Sequence, residues 1–308
     1  MKNYDAAVKA YLENMRNNEL SAASVESYSR TFRYFRASME KHGYEDVCPK
    51  SVMSFKSDLD VSIVTLNLYL SHLRQLSGFA ARYGFCEPFL FDDAMPPKNK
   101  VSKARKKPYA HVLDLEQIKA LISAEKPLHG NKPHTWLREQ AEVTLMLLSG
   151  ARNSELRALE LADLDWENNV MHLRVTKGDK PRMVPFTPAA QKAVRAYLAS
   201  SLRPADAEGP LFGCLSRTTG QWKPLSRTQL SDLIHNYTRS VLGGEYACRT
   251  HAQRHAFASA SLEMGLAIDK ISSVLGHADT ATTAIYAQRL DPAKSAAEYG
   301  FALDAALA

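Results

Sequence analysis

The sequence predicts a mainly α fold with a small β-hairpin or sheet, divided into an all-helical amino-terminal unit and a mixed α+β carboxyl-terminal unit. Three observations predict it. The chain has 308 residues, more than one hydrophobic core ordinarily absorbs. Apolar residues recur at three- and four-residue spacing through most of its length, and alternate clearly only near residues 170–175. The stretch Ala94 to Pro108 carries Pro96, Pro97 and Pro108 with only Met95 and Val101 as larger apolar side chains, so it reads as an extended linker. The expected organisation is a helical unit over 1–95, a basic linker over 96–110 and a mixed unit over 111–308.

In the first unit, Tyr4, Val8, Tyr11, Leu12 and Met15 mark an amphipathic helix. Val25, Tyr28, Phe32, Phe35 and Met39 mark a second, with Ser21 or Ser24 placed to cap it. Arg30, Arg33 and Arg36 run along it away from the aromatic stripe. A third pattern spans Val61 to Gly84. In the second unit, helices are expected over Leu115–Ala124 and Trp136–Leu148. Val170 to Val175 alternates as a strand, Thr176 to Pro181 is turn chemistry, and Met183–Pro185 returns as a second strand. Helices resume over Pro188–Ser200, Ser226–Val241, His251–Met264 and Asp269–Leu275.

Hydrophobic content of 45% and charged content of 23% are ordinary globular values, which excludes wholesale disorder. Cys48, Cys86, Cys214 and Cys248 lie far apart without C-x-x-C spacing, which argues against a disulfide scaffold or a zinc finger and for reduced thiols in the cytoplasm. No apolar run approaches a membrane span, and Lys2, Asp5, Lys9 and Glu13 leave no room for a signal peptide. The formal charge of +6 is concentrated. Lys98, Lys100, Lys103, Arg105, Lys106 and Lys107 crowd the linker, where no acidic residue stands between Asp93 and Asp114, and the rest of the chain is formally neutral. Such a patch suits a polyanion, because neutralising phosphates releases condensed counterions.

Four local features carry candidate chemistry. In Gly150–Arg157, Asn153 or Ser154 is a good helix cap, which sets Arg152 at the positive end of a helix with Glu155 one turn on. Lys177 precedes Gly178 at the hairpin tip. His251 and Arg254, three apart, share a helix face and could both touch one phosphate. Gly276 suits the left-handed position ending a helix at Leu275, which places His277 on a corner ahead of a new helix bearing Tyr286.

In this order, the four features resemble the tyrosine recombinase (phage integrase) family, in a two-domain form of the Xer type. Its Arg, Lys, His-x-x-Arg, His and Tyr signature appears as Arg152, Lys177, His251 with Arg254, His277 and Tyr286. The wording G-x-R-x-S-E-L, T-K-G-x-K-x-R-x-V-P, R-H-x-F-A and L-G-H-x-x-x-x-T-x-x-Y matches too. Gln253 departs from the pattern, where the family more often has leucine. The resemblance implies a site-specific DNA recombinase that cleaves and rejoins strands through a 3′-phosphotyrosyl intermediate. It also implies a core-type DNA-binding domain ahead of the catalytic one.

Under that resemblance Tyr286 attacks, Arg152 and Arg254 grip non-bridging oxygens, and His251 assists Tyr286. Lys177 protonates the leaving 5′-oxygen, His277 hydrogen-bonds a phosphate oxygen, and Glu155 orients its neighbours. No grouping of Asp and Glu with metal-ligand spacing accompanies these positions, so no metal and no cofactor is expected. The implied partners are double-stranded DNA and further copies of the chain, as a tetramer on two DNA sites, with accessory proteins or a second recombinase as further candidates. Lys103, Arg105, Lys106 and Lys107 would contact backbone phosphates, and Arg30, Arg33 and Arg36 would face the major groove. A last helix over Ser295–Ala308 would dock on a neighbouring protomer. The implied location is the bacterial cytoplasm or nucleoid. Two alternatives stay open: a topoisomerase-like nicking and resealing enzyme, and a non-catalytic DNA-binding relative, which would have no chemical need for Tyr286.

Overall fold

A computed structural model describes residues 2–91, 94–98, 100–101, 112–125, 133–174 and 181–276. The chain divides into two units, Met1–Pro108 and Tyr109–Ala308.

The described residues of the first unit are helical: α1 (Lys2–Asn17), α2 (Ala22–His42), α3 (Pro49–Asp58) and α4 (Ile63–Arg82). Ser21 caps α2 by accepting the Ser24 N–H, and Ser62 caps α4 by accepting the Thr65 N–H, so each removes an orphan donor. The core is the predicted aromatic stripe meeting α4: Phe32, Phe35 and Met39 pack with Leu70, Leu73 and Leu76. The Tyr4 hydroxyl donates to the Phe32 carbonyl at 2.7 Å, tying α1 to α2. α3 was not anticipated. Of its ten residues, PKSVMSFKSD, only Val52 and Phe55 among the larger apolar side chains are buried, too few to register as a period, and Pro49 begins it where the missing N–H costs nothing. The stretch read as a linker also begins differently. Ala94 is buried in this core and its carbonyl accepts Lys56 Nζ at 3.0 Å, so the chain is still packed there.

In the second unit α5 (Leu115–Ser123) and α6 (Pro133–Ser149) lead to α7 (Asn153–Ala158). A three-stranded antiparallel sheet follows, ordered β1 (Leu164–Asp165), β2 (Val170–Leu173) and β3 (Arg182–Pro185). Its register pairs Met171 with Val184 and Leu173 with Arg182. Then come α8 (Pro188–Ala199), a two-stranded hairpin of β4 (Gly213–Leu215) and β5 (Trp222–Pro224), α9 (Arg227–Leu242), α10 (Thr250–Glu263) and α11 (Ile268–Leu275). At three residues each, β4 and β5 are too short for alternation to show. α6 is the central element: Val143, Leu145 and Met146 are wholly buried, and α5, α8, α9 and α10 pack around it. Burying a helix on several sides is what its apolar run, VTLMLL, requires. Among the described residues no helix is long and apolar enough to cross a membrane.

Candidate active site

Of the site residues expected from sequence, Arg152, Glu155, His251 and Arg254 are described. Lys177, His277 and Tyr286 lie outside the described residues, as do Lys103, Arg105, Lys106, Lys107 and the helix expected over 295–308.

The site begins where α6 ends. Gly150 turns the chain with φ +64°, and a Cβ there would lie 2.6 Å from Leu275 Cδ2 and 2.7 Å from Phe257 Cδ1. Both backbone and space therefore demand glycine. The turn delivers Arg152 as the residue that caps α7, one position earlier than Asn153 and two earlier than Ser154. The reason is Glu155, whose carboxylate reaches back and accepts the Arg152 N–H at 2.7 Å and Arg152 Nη1 at 2.7 Å. The anion at this helix start is thus the chain's own glutamate, and what Arg152 offers a ligand is its guanidinium. The Asn153 side-chain amide instead donates to the Thr250 hydroxyl, linking α7 to α10 at 3.4 Å.

Glu155 is 2% exposed. A second guanidinium covers it: Arg182, from β3, donates Nη1 to Oε1 at 2.7 Å and Nη2 to Oε2 at 2.8 Å. Burial pushes the carboxyl's pKa up, but the bonds from Arg182 and Arg152 outweigh it and hold the group below the usual carboxylate range. Glu155 is therefore an ionised, desolvated carboxylate with each oxygen bonded to both a guanidinium and a second donor.

The other wall is the end of α11. Gly276 adopts φ +63°, as expected for a residue closing this helix. Three arginines from three elements then take three successive carbonyls. Arg182 Nε donates to Val274 O at 2.7 Å, Arg254 Nη2 to Leu275 O at 2.6 Å and Arg152 Nη2 to Gly276 O at 3.0 Å. A helix leaves its last carbonyls unpaired and carries partial negative charge there, which is why cations gather at it. Arg254 also donates Nη1 to Gly150 O at 2.6 Å and is 5% exposed, so it is nearly enclosed, whereas the Arg152 side chain keeps 24% exposure. His251 stands exposed in the first turn of α10, its ring stacked on His255 with centroids 4.5 Å apart. The structure thus brings Arg152, Glu155 and Arg254 together through one helix end, with His251 on the outer side of α10.

Arg182 is the residue that sequence reasoning missed. Its signal was present: Arg182 and Val184 are two apart on a strand, so a charge shares the buried face with an apolar residue and needs a partner there. Gln253, the departure from the family pattern, is wholly buried; its amide donates to Cys248 Sγ at 3.1 Å, and its carbonyl oxygen has no hydrogen-bond partner among the described residues. Among those residues no group of three His, Cys, Asp or Glu could hold a metal ion. In the first unit Arg30, Arg33 and Arg36 are exposed on α2; Arg33 pairs with Glu26 at 2.9 Å, and Arg36 with Asp5 at 3.4 Å and Glu40 at 3.2 Å.

Comparison with known proteins gives this arrangement a context. The model of the phage integrase family matches residues 111–292. Tyrosine recombinase XerC of Mesorhizobium japonicum is 30% identical over 295 residues, covering 91% of this chain and 90% of its own. Tyrosine recombinase XerD of Rhizobium meliloti is 29% identical over 303 residues, covering 93% and 91%. Among solved structures, the XerH site-specific recombinase bound to palindromic difH substrate, a post-cleavage complex, superposes with a TM-score of 0.70 at 18% identity, over 94% of this chain and 84% of that one. The Tn1549 transposon integrase in complex with transposon right end DNA gives 0.68 at 16% identity, over 96% and 99%. At these identities the two structures show a shared fold.

Proposed function

This chain belongs to the phage integrase family and is a site-specific DNA recombinase, and from that premise we propose that it exchanges strands by transesterification at Tyr286. The observation that carries this reading is the pair of guanidiniums, Arg152 and Arg254, held on the successive carbonyls of Gly276 and Leu275. Arg152 keeps 24% side-chain exposure beside its bonds to Glu155 and Gly276 O, so a phosphate can reach its guanidinium, while the nearly enclosed Arg254 adds a second fixed positive charge. Two fixed charges a short distance apart suit the two non-bridging oxygens of a phosphodiester, whose charge grows as a fifth oxygen approaches phosphorus.

In the proposed step the Tyr286 oxygen bonds to phosphorus and the bond to the 5′-oxygen breaks. His251 takes the phenolic proton, Lys177 supplies a proton to the departing 5′-oxygen, and His277 hydrogen-bonds a phosphate oxygen. Rejoining runs the same transfers backwards with the 5′-hydroxyl of the partner strand, so bond energy is conserved and no ATP is needed. Glu155 keeps Arg152 oriented. Double-stranded DNA is the substrate, with the residues before 111 contributing contacts from the linker lysines and arginines and from Arg30, Arg33 and Arg36. Strand exchange between two sites requires four active centres, hence a tetramer, and the residues after 294 are the segment assigned to joining protomers.

A suicide substrate nicked beside the cleavage point tests the reading. The native protein should become covalently attached to DNA, and Tyr286→Phe should bind the same DNA without attachment. Trapping that persists in Tyr286→Phe overturns the assignment.

A further inference from the structure

We propose that Arg182 is a positioning residue for strand cleavage, holding Glu155, and through it Arg152, while pinning the Val274 carbonyl at the end of α11. The inference rests on the reading of Arg152 as a phosphate ligand. Its basis is that every nitrogen of Arg182 is spent inward: Nη1 and Nη2 on the two oxygens of Glu155, and Nε on Val274 O. The side chain is 11% exposed, so it does not itself present a face to a ligand. It fastens together the two structures that carry the phosphate-gripping groups, the α7 start with Arg152 and the α11 end that receives Arg152 and Arg254.

The fit is close. A Cβ on Gly276 would lie 3.1 Å from Arg182 Cδ and 3.2 Å from both Nε and Nη1, so the guanidinium lies against bare backbone at the end of α11. Without Arg182, Glu155 would keep its burial and lose a two-bond partner. Its carboxylate could then rotate, and Arg152 would lose a fixed anchor. A lysine cannot substitute fully, because one ammonium cannot bridge both carboxylate oxygens in plane and reach a carbonyl as well.

Positioning and general stability separate in the pH profile. Glu155 is ionised because two guanidiniums oppose its desolvation. With Arg182 gone, its pKa rises, and protonation on the acid side releases Arg152.

The experiment measures single-turnover attachment to a suicide substrate, at saturating DNA and across pH, for native protein, Arg182→Met and Arg182→Lys, with DNA affinity and thermal unfolding in parallel. Arg182→Met should bind DNA as native but attach about 10²-fold more slowly, the scale set by a misplaced catalytic group. The ratio of its rate to the native rate should fall further toward acid pH. Arg182→Lys should restore the native pH dependence but only part of the rate. Native rates in both variants, or a loss confined to DNA affinity, overturn the inference. So does an unfolded Arg182→Met beside a fully native Arg182→Lys. Absence of any adduct with native protein would sink the nucleophile reading itself, and this inference with it.

Discussion

Arg254 donates to the carbonyl of Gly150 at 2.6 Å, across 104 residues of sequence, and so fixes α10 to the turn that introduces Arg152. Gly150 is under three demands at once: its φ is +64°, its carbonyl is taken by Arg254, and the space beside its Cα is filled by Leu275 and Phe257. Gly150→Ala should therefore destabilise the second unit by about 2–4 kcal/mol, combining left-handed strain with overpacking. Thermal unfolding reads the loss. Because the displaced Leu275 carries the carbonyl that holds Arg254, attachment to DNA should fall even at temperatures where the variant remains folded.

Gln253 makes the opposite prediction. Its amide carbonyl is buried without a hydrogen-bond partner among the described residues, while its N–H₂ reaches only a thiol. An unsatisfied buried polar atom costs more than a weak bond to sulfur returns. Gln253→Leu, of similar volume, should raise stability by about 1 kcal/mol, a shift of about 2–4 °C for a unit of this size. Cleavage should be unaltered, since Gln253 faces the interior beside Cys248. A lower melting temperature would show that the bond to Cys248 outweighs the orphaned oxygen.

What could be read from sequence followed from what each feature needs in order to be visible. The α2 and α4 stripes were legible because a long amphipathic helix repeats its apolar residues several times. α3 was not, because two buried apolar residues do not make a period, and neither were β4 and β5. Arg152, Glu155, His251 and Arg254 stood out through local wording. Arg182 was inside that same wording, but its importance depends on Glu155, 27 residues away, and on a helix end 92 residues away. Spacing within one element cannot show that three arginines from α7, β3 and α10 converge on consecutive carbonyls. Such convergence is a property of packing.

Glu142 supplies a pH signature. It lies wholly buried in α6; Arg138 Nε is 3.8 Å away, and neither carboxylate oxygen has a hydrogen-bond partner among the described residues. Desolvation pushes its pKa from 4.5 to about 8, with Arg138 opposing incompletely. For an acid whose folded pKa is raised, stability is fully present below the unfolded value near 4.5. It is lost as pH climbs toward 8, because the unfolded chain ionises first. Glu142→Gln removes the ionisation. The variant should match native protein near pH 5 and exceed it by a margin that widens through neutrality and levels off above pH 8, reaching the order of a few kcal/mol. Unfolding of the second unit measured from pH 5 to pH 9 checks this; parallel curves would show that Glu142 is solvated in solution.

The linker and α2 make separable contributions to salt dependence. Lys103, Arg105, Lys106 and Lys107 stand in a stretch without carboxylates, so each phosphate they neutralise releases a counterion. Arg33 and Arg36 already have Glu26, Asp5 and Glu40 beside them, and a phosphate brought to them meets partly cancelled charge. Replacing the four linker residues by Gln should flatten the plot of log affinity against log salt by about 0.9 for each side chain on a phosphate, up to about 4 in all. Arg33→Gln with Arg36→Gln should flatten it by less per residue. Titrating the same duplex at several salt concentrations distinguishes them. An unchanged slope in the linker variant would show that those side chains do not touch DNA, and equal slopes per residue would show that the carboxylates swing away from Arg33 and Arg36 on binding.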